Sequence, residues 1–355
     1  MERTQALIIG GGVAGAATAL ALHRAGIASA VFEAHRSGGD DAGAFLTVMA
    51  NGMAALDSIG AAQAVIEASH PARAVALFDA AGRRLGERPI EGPARTMRRA
   101  ALYRVLQEQV AAHGIPIHHG RRLTGATAGL DARATDGGTA AGVRAGFEDG
   151  GAAEGTFLVG ADGIHSRVRG LIDPDAPRPR FTGRHVVYGY ADGNPGDVPP
   201  DTYHMISGGR ASFGCTAPGD GRTWWFARIP GAPGGGGATP AGWRELALAA
   251  FRDDATPAAA IIAATGAEVV GGDSYDIPTT PRWHDGRMVL TGDAAHAASP
   301  AAAQGASMAL ADAVALAAAL TAHGDDLPAA FAAYELRRRA ETEETVAASA
   351  RLNAR

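Results

Sequence analysis

Ala6-Leu-Ile-Ile-Gly10-Gly-Gly-Val-Ala-Gly15 is the stretch whose reading decides the fold. Its apolar residues make a short buried strand, its glycines a turn, and the run from Ala16 to Ala25 a helix that Gly26 closes. Ser29-Ala-Val-Phe32 then reads as a second strand ending at Glu33. In this G-x-G-x-x-G arrangement Gly10 permits the tight turn, Gly12 lets a pyrophosphate approach the backbone, and Gly15 lets helix and strand pack closely. Val13 and Ala14 belong to the same phosphate-facing turn. Glu33 is placed to accept hydrogen bonds from a ribose, and its charge repels the extra phosphate of NADP, so the tightly held nucleotide is NAD-like or FAD-like. A lone glycine motif is a weak signal; the strand before it, the helix after it and the acidic strand end together favour a dinucleotide site over a structural turn.

Working outward, 355 residues at 46% hydrophobic can bury a large core in one or two joined domains. A net charge of -5 offers no extended basic field, which argues against nucleic acid as a partner. The single cysteine, Cys215, excludes an intramolecular disulfide, fits a reducing compartment and reads as a core or pocket-wall side chain. Ala6 to Leu22 is apolar enough to suggest a signal peptide, but its glycines and Glu2 speak against one. No other uninterrupted apolar segment reaches the roughly 18–20 residues of a membrane span. The expected location is the cytoplasm. His118 and His119 are strand neighbours pointing to opposite faces, and no metal-binding spacing occurs, so no metal is expected.

From Gly43 the chain reads as an extended segment, an Asn51-Gly52 turn and a short helix; Arg73 to Leu85 reads as a strand pair through Ala81-Gly82. A helix opens at Arg98-Arg99 with Leu102, Val105 and Leu106 on one face. The macrodipole disfavours cations there, so the pair is either solvated or one member neutralises a phosphate. Short strands with turns at Asp136-Gly-Gly138 and Glu148-Asp-Gly-Gly151 follow, and then the strand Thr156–Gly160. Its Ala161-Asp162-Gly163 turn leads into a helix with Arg167, at a strand's carboxyl end, where open α/β sheets bind ligands. Phe181 to Asp276 alternates β-prone arms with Gly/Pro turns, as an antiparallel sheet whose aromatic face suits an organic substrate. Arg287–Leu290 is a strand, Gly292-Asp293 a turn, and the helix opening at Gly305-Ala306 after Pro300 leaves N–H groups facing an electron-rich partner. Leu310, Val314, Ala317 and Leu320 form an apolar stripe. In the last amphipathic helix Arg337-Arg-Arg339 reads as a solvated face.

Three motifs thus stand in order: Gly10-x-Gly12-x-x-Gly15 with Glu33, Gly160-Ala-Asp-Gly-x-x-Ser166-x-Val-Arg169, and Gly292-Asp-Ala-Ala-His296 with Pro300 and Gln304-Gly305. Together with Arg99-Ala-Ala-Leu102, Trp224-Trp-Phe226 and Pro281-Arg-Trp283, they make the chain similar to the single-component FAD-dependent aromatic hydroxylases, the flavoprotein monooxygenases of the p-hydroxybenzoate hydroxylase fold. The resemblance implies an α/β fold: a Rossmann-like FAD-binding domain (1–72, 98–175 and 277–355) with C-terminal helices and an inserted antiparallel β-sheet substrate domain (73–97 and 176–276). It implies FAD with Glu33 on the adenosine ribose, Arg99 near the pyrophosphate, Asp293 on the ribityl chain, and the Gly305-Ala306 helix start facing the flavin N1/C2 carbonyl. Asp162 and Arg167 fall in the motif used for FAD and for transient NADPH or NADH. The implied reaction passes through a C4a-hydroperoxyflavin that inserts one atom of O2 into an aromatic or polyketide-like small molecule, in a monomer or homodimer. His204, Tyr188 and Tyr190 are candidates for a base or proton relay because they lie in the substrate sheet. Ala303 stands where the family motif has glycine, and Ser307 where asparagine is frequent. Alternatives are a same-fold reductase, dehydrogenase or halogenase, and a non-catalytic flavin-binding protein.

Overall fold

β1 (Ala6–Ile9) leads through the glycine turn into α1 (Val13–Arg24) and β2 (Ser29–Glu33) in a computed structural model of the chain, which describes residues 5–36, 44–133, 139–237 and 239–354. Then come β3 (Phe45–Val48), α2 (Ala50–Ser58), α3 (Ala62–Glu67), β4 (His70–Asp79), β5 (Arg84–Arg98), α4 (Arg99–Ala112) and β6 (Ile117–His119). β7 (Leu123–Arg133), β8 (Thr139–Phe147), β9 (Ala152–Gly155), β10 (Phe157–Gly160) and α5 (Arg167–Ile172) follow. The next excursion is β11 (Arg180–Asp192), β12 (Thr202–Ser207), β13 (Ser212–Thr216), β14 (Arg222–Pro230), α6 (Pro240–Phe251), α7 (Ala258–Ala263) and β15 (Thr265–Asp276). The chain closes with β16 (His284–Asp285), β17 (Met288–Leu290), the short α8 (Asp293–His296), a 3-10 turn at Pro300–Ala302, α9 (Gly305–His323) and α10 (Leu327–Ala354). The expected Asp136-Gly-Gly138 turn lies outside the described residues.

Two large sheets organise the molecule. The first, in the order β16-β17-β10-β1-β2-β6, is parallel except at β16–β17. It is covered by α1, α2, α9 and α10, whose Leu20, Leu22, Leu56, Leu310, Leu316 and Phe331 are buried in one core. α9 is long and apolar enough to cross a membrane, yet most of it is buried, packed against α1, α2 and α10, as a core helix is.

The second sheet runs β15-β11-β14-β13-β12-β4-β5-β3. The expected antiparallel sheet is corrected at one seam: β12 and β4 run parallel, Thr202 beside Ala74 and Ser207 beside Asp79. Strands joined by tight turns must be antiparallel, but this seam joins two separate excursions of the chain and is free of that constraint. β3 and the start of β4, assigned from sequence to the nucleotide side, are hydrogen-bonded into this sheet. One face packs on α6 and α7 through Phe213, Trp225, Phe251 and Ile261, with Cys215 fully buried among them. Trp225 Nε1 donates to Thr265 Oγ1 at 2.8 Å, so its ring is buried without an orphaned donor. The other face carries Phe45, Tyr188, Tyr190, Tyr203, Trp224 and Phe226.

Asn51-Gly52 is not a turn. Both residues lie in the first turn of α2, where Asn51 Oδ1 accepts from Gly52 N at 2.9 Å. A Cβ on Gly52 would stand 2.7 Å from Ser307 Oγ and 2.8 Å from Val48 Cγ1, so the glycine is there for close packing of α2 on α9.

Candidate functional site

β1, β10 and β17 are parallel neighbours, so their carboxyl ends deliver all three motifs to one edge of the first sheet. Gly10, at φ +101, needs a backbone that other residues avoid, and a Cβ there would collide with the Ala161 carbonyl. Gly15 is pressed against the Gly10 carbonyl and Ile8, while nothing lies within 4 Å of where a Cβ on Gly12 would stand, which leaves its backbone open to a ligand. The start of α1, Val13 and Ala14, faces the same opening. Glu33, 7% exposed, holds this turn from below: Oε2 accepts from Gly11 N at 2.7 Å and Oε1 from His35 N at 2.8 Å. Gln107 on α4 completes the clamp by donating Nε2 to Gly11 O at 2.6 Å. Sequence reading gave Gln107 no role; its position inside α4 carries no motif.

Asp162 sits beside the turn with both oxygens engaged. Oδ1 accepts from Ser166 Oγ at 2.5 Å, and Oδ2 from the N–H groups of Arg167 at 2.7 Å and Val168 at 3.2 Å, which caps α5. Burial pushes its carboxyl up from the ordinary range, against the pull of these bonds. Arg167 directs Nε to Thr124 O at 2.8 Å. The buried Arg169 donates Nη1 to Ala294 O at 3.0 Å and Nη2 to Ile164 O at 2.7 Å, tying the Asp162 turn to α8.

Gly292 adopts φ +58, and a Cβ there would stand 2.8 Å from Ala14 Cβ, so the third motif nests on the first. The next residue, Asp293, is half-buried, has no hydrogen-bond partner among the described residues, and its Oδ1 lies 3.9 Å from where a Cβ on Gly305 would be. Across from it α9 begins. Met308 N finds Gln304 O at 2.9 Å, but the N–H groups of Gly305, Ala306 and Ser307 have no acceptor among the described residues. Ser307 Oγ instead accepts from Met49 N at 2.9 Å, fastening α2 to α9. Pro300 opens the 3-10 turn, and Ala303 ends it in the left-handed region, φ 54.

Beneath this turn lies a buried ionic network that corrects the reading of Arg337-Arg-Arg339 as a solvated face. Arg338, 5% exposed, directs Nε to Asp312 Oδ1 at 2.7 Å, and Asp312 Oδ2 accepts from His296 Nε2 at 2.5 Å and Gly292 N at 3.0 Å. Burial alone would depress His296, but the Asp312 carboxylate outweighs it and holds the imidazole above its ordinary value. Burial alone would raise Asp312; His296 and Arg338 bring it below the carboxylate range. Arg339 lies over the fully buried Trp283 ring at 5.2 Å, with Glu335 and Glu343 as ion partners. The legible signal was Asp312 itself, a lone charge in an apolar helix, which must be paired if buried.

The aromatic wall is built in register. Tyr190 stands opposite Trp224, Tyr188 opposite Phe226, and cross-strand partners share a face. His204 pairs with Cys215 and packs on Phe78, which puts it on the opposite face, toward α6 and α7, and separates it from Tyr188 and Tyr190. Tyr203 is on the wall; its hydroxyl meets Thr96 Oγ1 at 2.7 Å and Thr47 Oγ1 at 2.9 Å, and burial pushes its phenol up to about 12. Burial also raises Tyr188 and Tyr190. The arginine pair divides: Arg98 lies 4.2 Å over the Tyr190 ring and pairs with Glu268, whereas exposed Arg99 has no side-chain partner among the described residues and its charge reaches Tyr188.

A nucleotide with hydroxyl donors and a nearby electron-poor-to-anionic ring fits these groups: an unpartnered carboxylate, a glycine turn with open backbone, and a helix start with free N–H groups. Among the described residues no His, Cys, Asp or Glu cluster of metal-binding size occurs. A family described as FAD binding domain matches residues 3–349. The aurachin C monooxygenase/isomerase of Stigmatella aurantiaca is 32% identical over 98% of this chain and 88% of its own. The 3-amino-4-hydroxybenzoate 2-monooxygenase PtmB3 of Streptomyces platensis is 32% identical over 94% of this chain and 84% of its own. Klebsiella pneumoniae HpxO, solved with FAD and uric acid, superposes with a TM-score of 0.86 at 26% identity, over 99% of this chain and 88% of that one.

Proposed function

The chain belongs to the FAD-dependent flavoprotein monooxygenases of the p-hydroxybenzoate hydroxylase fold, and we propose that it uses NADPH or NADH to insert one atom of O2 into an aromatic or polyketide-like small molecule. The observation that carries this reading is the unpartnered Asp293 carboxylate beside the free N–H groups of α9. Hydroxylation is the expected outcome; that both relatives are monooxygenases supports the insertion of oxygen.

In this reading Gly10, Gly12, Val13, Ala14 and Gly15 cradle the pyrophosphate, Arg99 neutralises it, and Glu33, fixed by Gly11 and His35, accepts from the adenosine ribose. Asp293 accepts from a ribityl hydroxyl. Bound FAD supplies hydride acceptance and oxygen activation. The N–H groups of Gly305 and Ala306, after the Pro300 turn, would hold the pyrimidine end of the flavin and favour negative charge there. Gly292 aims Asp293. Asp162 holds α5, leaving the outer nitrogens of Arg167 for the transient nicotinamide nucleotide. The aromatic wall excludes water and orients the substrate ring. Tyr188 and Tyr190, raised by burial, keep their protons at neutral pH and serve as hydrogen-bond donors. The proposed division of labour gives 1–72, 98–175 and 277–355 to the flavin and 73–97 and 176–276 to the substrate, with β3 added to the wall. A cytoplasmic setting, where NADPH and NADH are at hand, suits this chemistry.

The test is an aromatic-compound screen on the FAD-loaded enzyme, read as accelerated NADPH or NADH oxidation. The expected result is acceleration by a true substrate with stoichiometric oxygenated product. A folded chain that takes up no FAD contradicts the reading.

A further inference from the structure

Ser349 is a fully buried hydroxyl in the alanine run Ala347-Ala-Ser-Ala350 of α10. A helical hydroxyl often bonds back to the carbonyl one turn earlier. Thr342 does so to Arg338 O at 3.0 Å, and Thr345 to Glu341 O at 2.9 Å, on this same helix. Ser349 instead donates to Ser299 O at 2.7 Å and accepts from Ser299 Oγ at 2.8 Å and Ala302 N at 3.2 Å. Its one donor and both acceptor sites are therefore spent on the turn at Pro300–Ala302. That turn joins α8, which begins at Asp293, to α9, whose first N–H groups are free. It is exposed on its outer side at Pro300 and Ala303. Among the described residues, the other side-chain bond to it is a long one at the surface, Asn51 Nδ2 to Gln304 Oε1 at 3.5 Å. The inner tether is Ser349. One helical turn further on, Asn353 donates Nδ2 to Thr182 O at 3.1 Å and accepts from Arg184 Nε, both on β11, which fixes the end of α10 from the other side.

We propose that Ser349 is a positioning residue of the flavin site: its hydroxyl fixes the Pro300–Ala302 turn and so aims the N–H groups of Gly305 and Ala306 at the pyrimidine end of the flavin. This rests on the reading in which FAD lies against the start of α9. Ser349 acts through the backbone of the turn and touches no cofactor. Well-aimed N–H groups favour the reduced, more negative flavin over the oxidised one, so loss of the tether lowers the reduction potential. Ser299 Oγ is the dispensable half of the hydroxyl pair, because Ser349 reaches the turn through Ser299 O and Ala302 N without it.

The test measures the midpoint potential of the bound flavin in the full, FAD-loaded chain by reductive titration against a reference dye, with no substrate present. Ser349→Ala is expected to lose about tenfold of the preference for reduced over oxidised FAD, a midpoint about 30 mV more negative. Ser349→Cys keeps the shape with a weaker donor and acceptor and should fall between Ser349→Ala and wild type, which keeps the question open to measurement if the alanine variant folds poorly. Ser299→Ala should stay at the wild-type potential. So should Asn353→Ala, which loosens the end of α10 without touching the turn. A serine that serves only the fold would lower the melting temperature of the apoprotein and leave the potential where it was; that result overturns the proposal. An equal shift in Asn353→Ala overturns it too, because the cause would then be helix docking and not the hydroxyl. So does a shift in Ser299→Ala as large as that in Ser349→Ala. A wild-type chain that holds no FAD fails the underlying reading before Ser349 is reached.

Discussion

Ala303 holds a left-handed backbone, φ 54, with its methyl exposed. An L-residue there costs about 1–2 kcal/mol, partly offset because glycine loosens the unfolded chain. Ala303→Gly should therefore stabilise the protein by about 0.5–1 kcal/mol in urea unfolding, with FAD still bound. From sequence this residue read as a departure from the motif; that it bears backbone strain needed the torsion angle. Asp293 is the complementary case, since it meets no hydrogen-bond donor among the described residues. Asp293→Ala should leave the melting temperature of the apoprotein unchanged and weaken FAD binding by about tenfold to a hundredfold, read by flavin fluorescence titration. Equal loss of apoprotein stability would mean the carboxylate serves the fold. Ser307 was legible only as a substitution; its bond to Met49 N, 258 residues away in sequence, is a tertiary fact.

At the scale of elements, the first strand–turn–helix–strand unit could be read because its contacts are local: Gly10, Gly15 and Glu33 meet within one βαβ unit. Asn51-Gly52 was misread because turn propensity is also local, whereas the packing of Gly52 on Ser307 is not. Gly52→Ala should lose about 1–3 kcal/mol through that contact, measured by chemical unfolding. The α8–α9–α10 network gives a pH test. His296 is raised in the folded state, so its contribution is complete below its unfolded value of about 6.5 and is lost as pH rises through the folded one. Asp312 is lowered, so its contribution is present above about 3.9 and lost as pH falls through the folded value. The melting-temperature gap between wild type and His296→Gln should be widest between about pH 4 and 6.5 and close as pH rises further. Asp312→Asn leaves two buried cations and should cost about 3–5 kcal/mol. A gap that fails to narrow as pH rises above about 6.5 would mean that His296 is neutral in the fold.

For the whole molecule, three motifs at adjacent strand ends and an aromatic sheet opposite them form one arrangement. The order of the motifs along the chain made the flavin fold readable, since β1, β10 and β17 need only be parallel to bring them together. The substrate side was less readable. Strand facing depends on register, which put His204 behind the sheet and Tyr188 and Tyr190 in front of it, and a parallel seam between distant segments leaves no mark in local sequence. The central claim is that this assembly delivers an atom of O2 to the substrate on the aromatic wall. Turnover under 18O2 in ordinary water, with the product analysed by mass spectrometry, tests it most directly. The account expects one 18O atom in the product and none when the label is in the water; a product with no oxygen from 18O2 would contradict it.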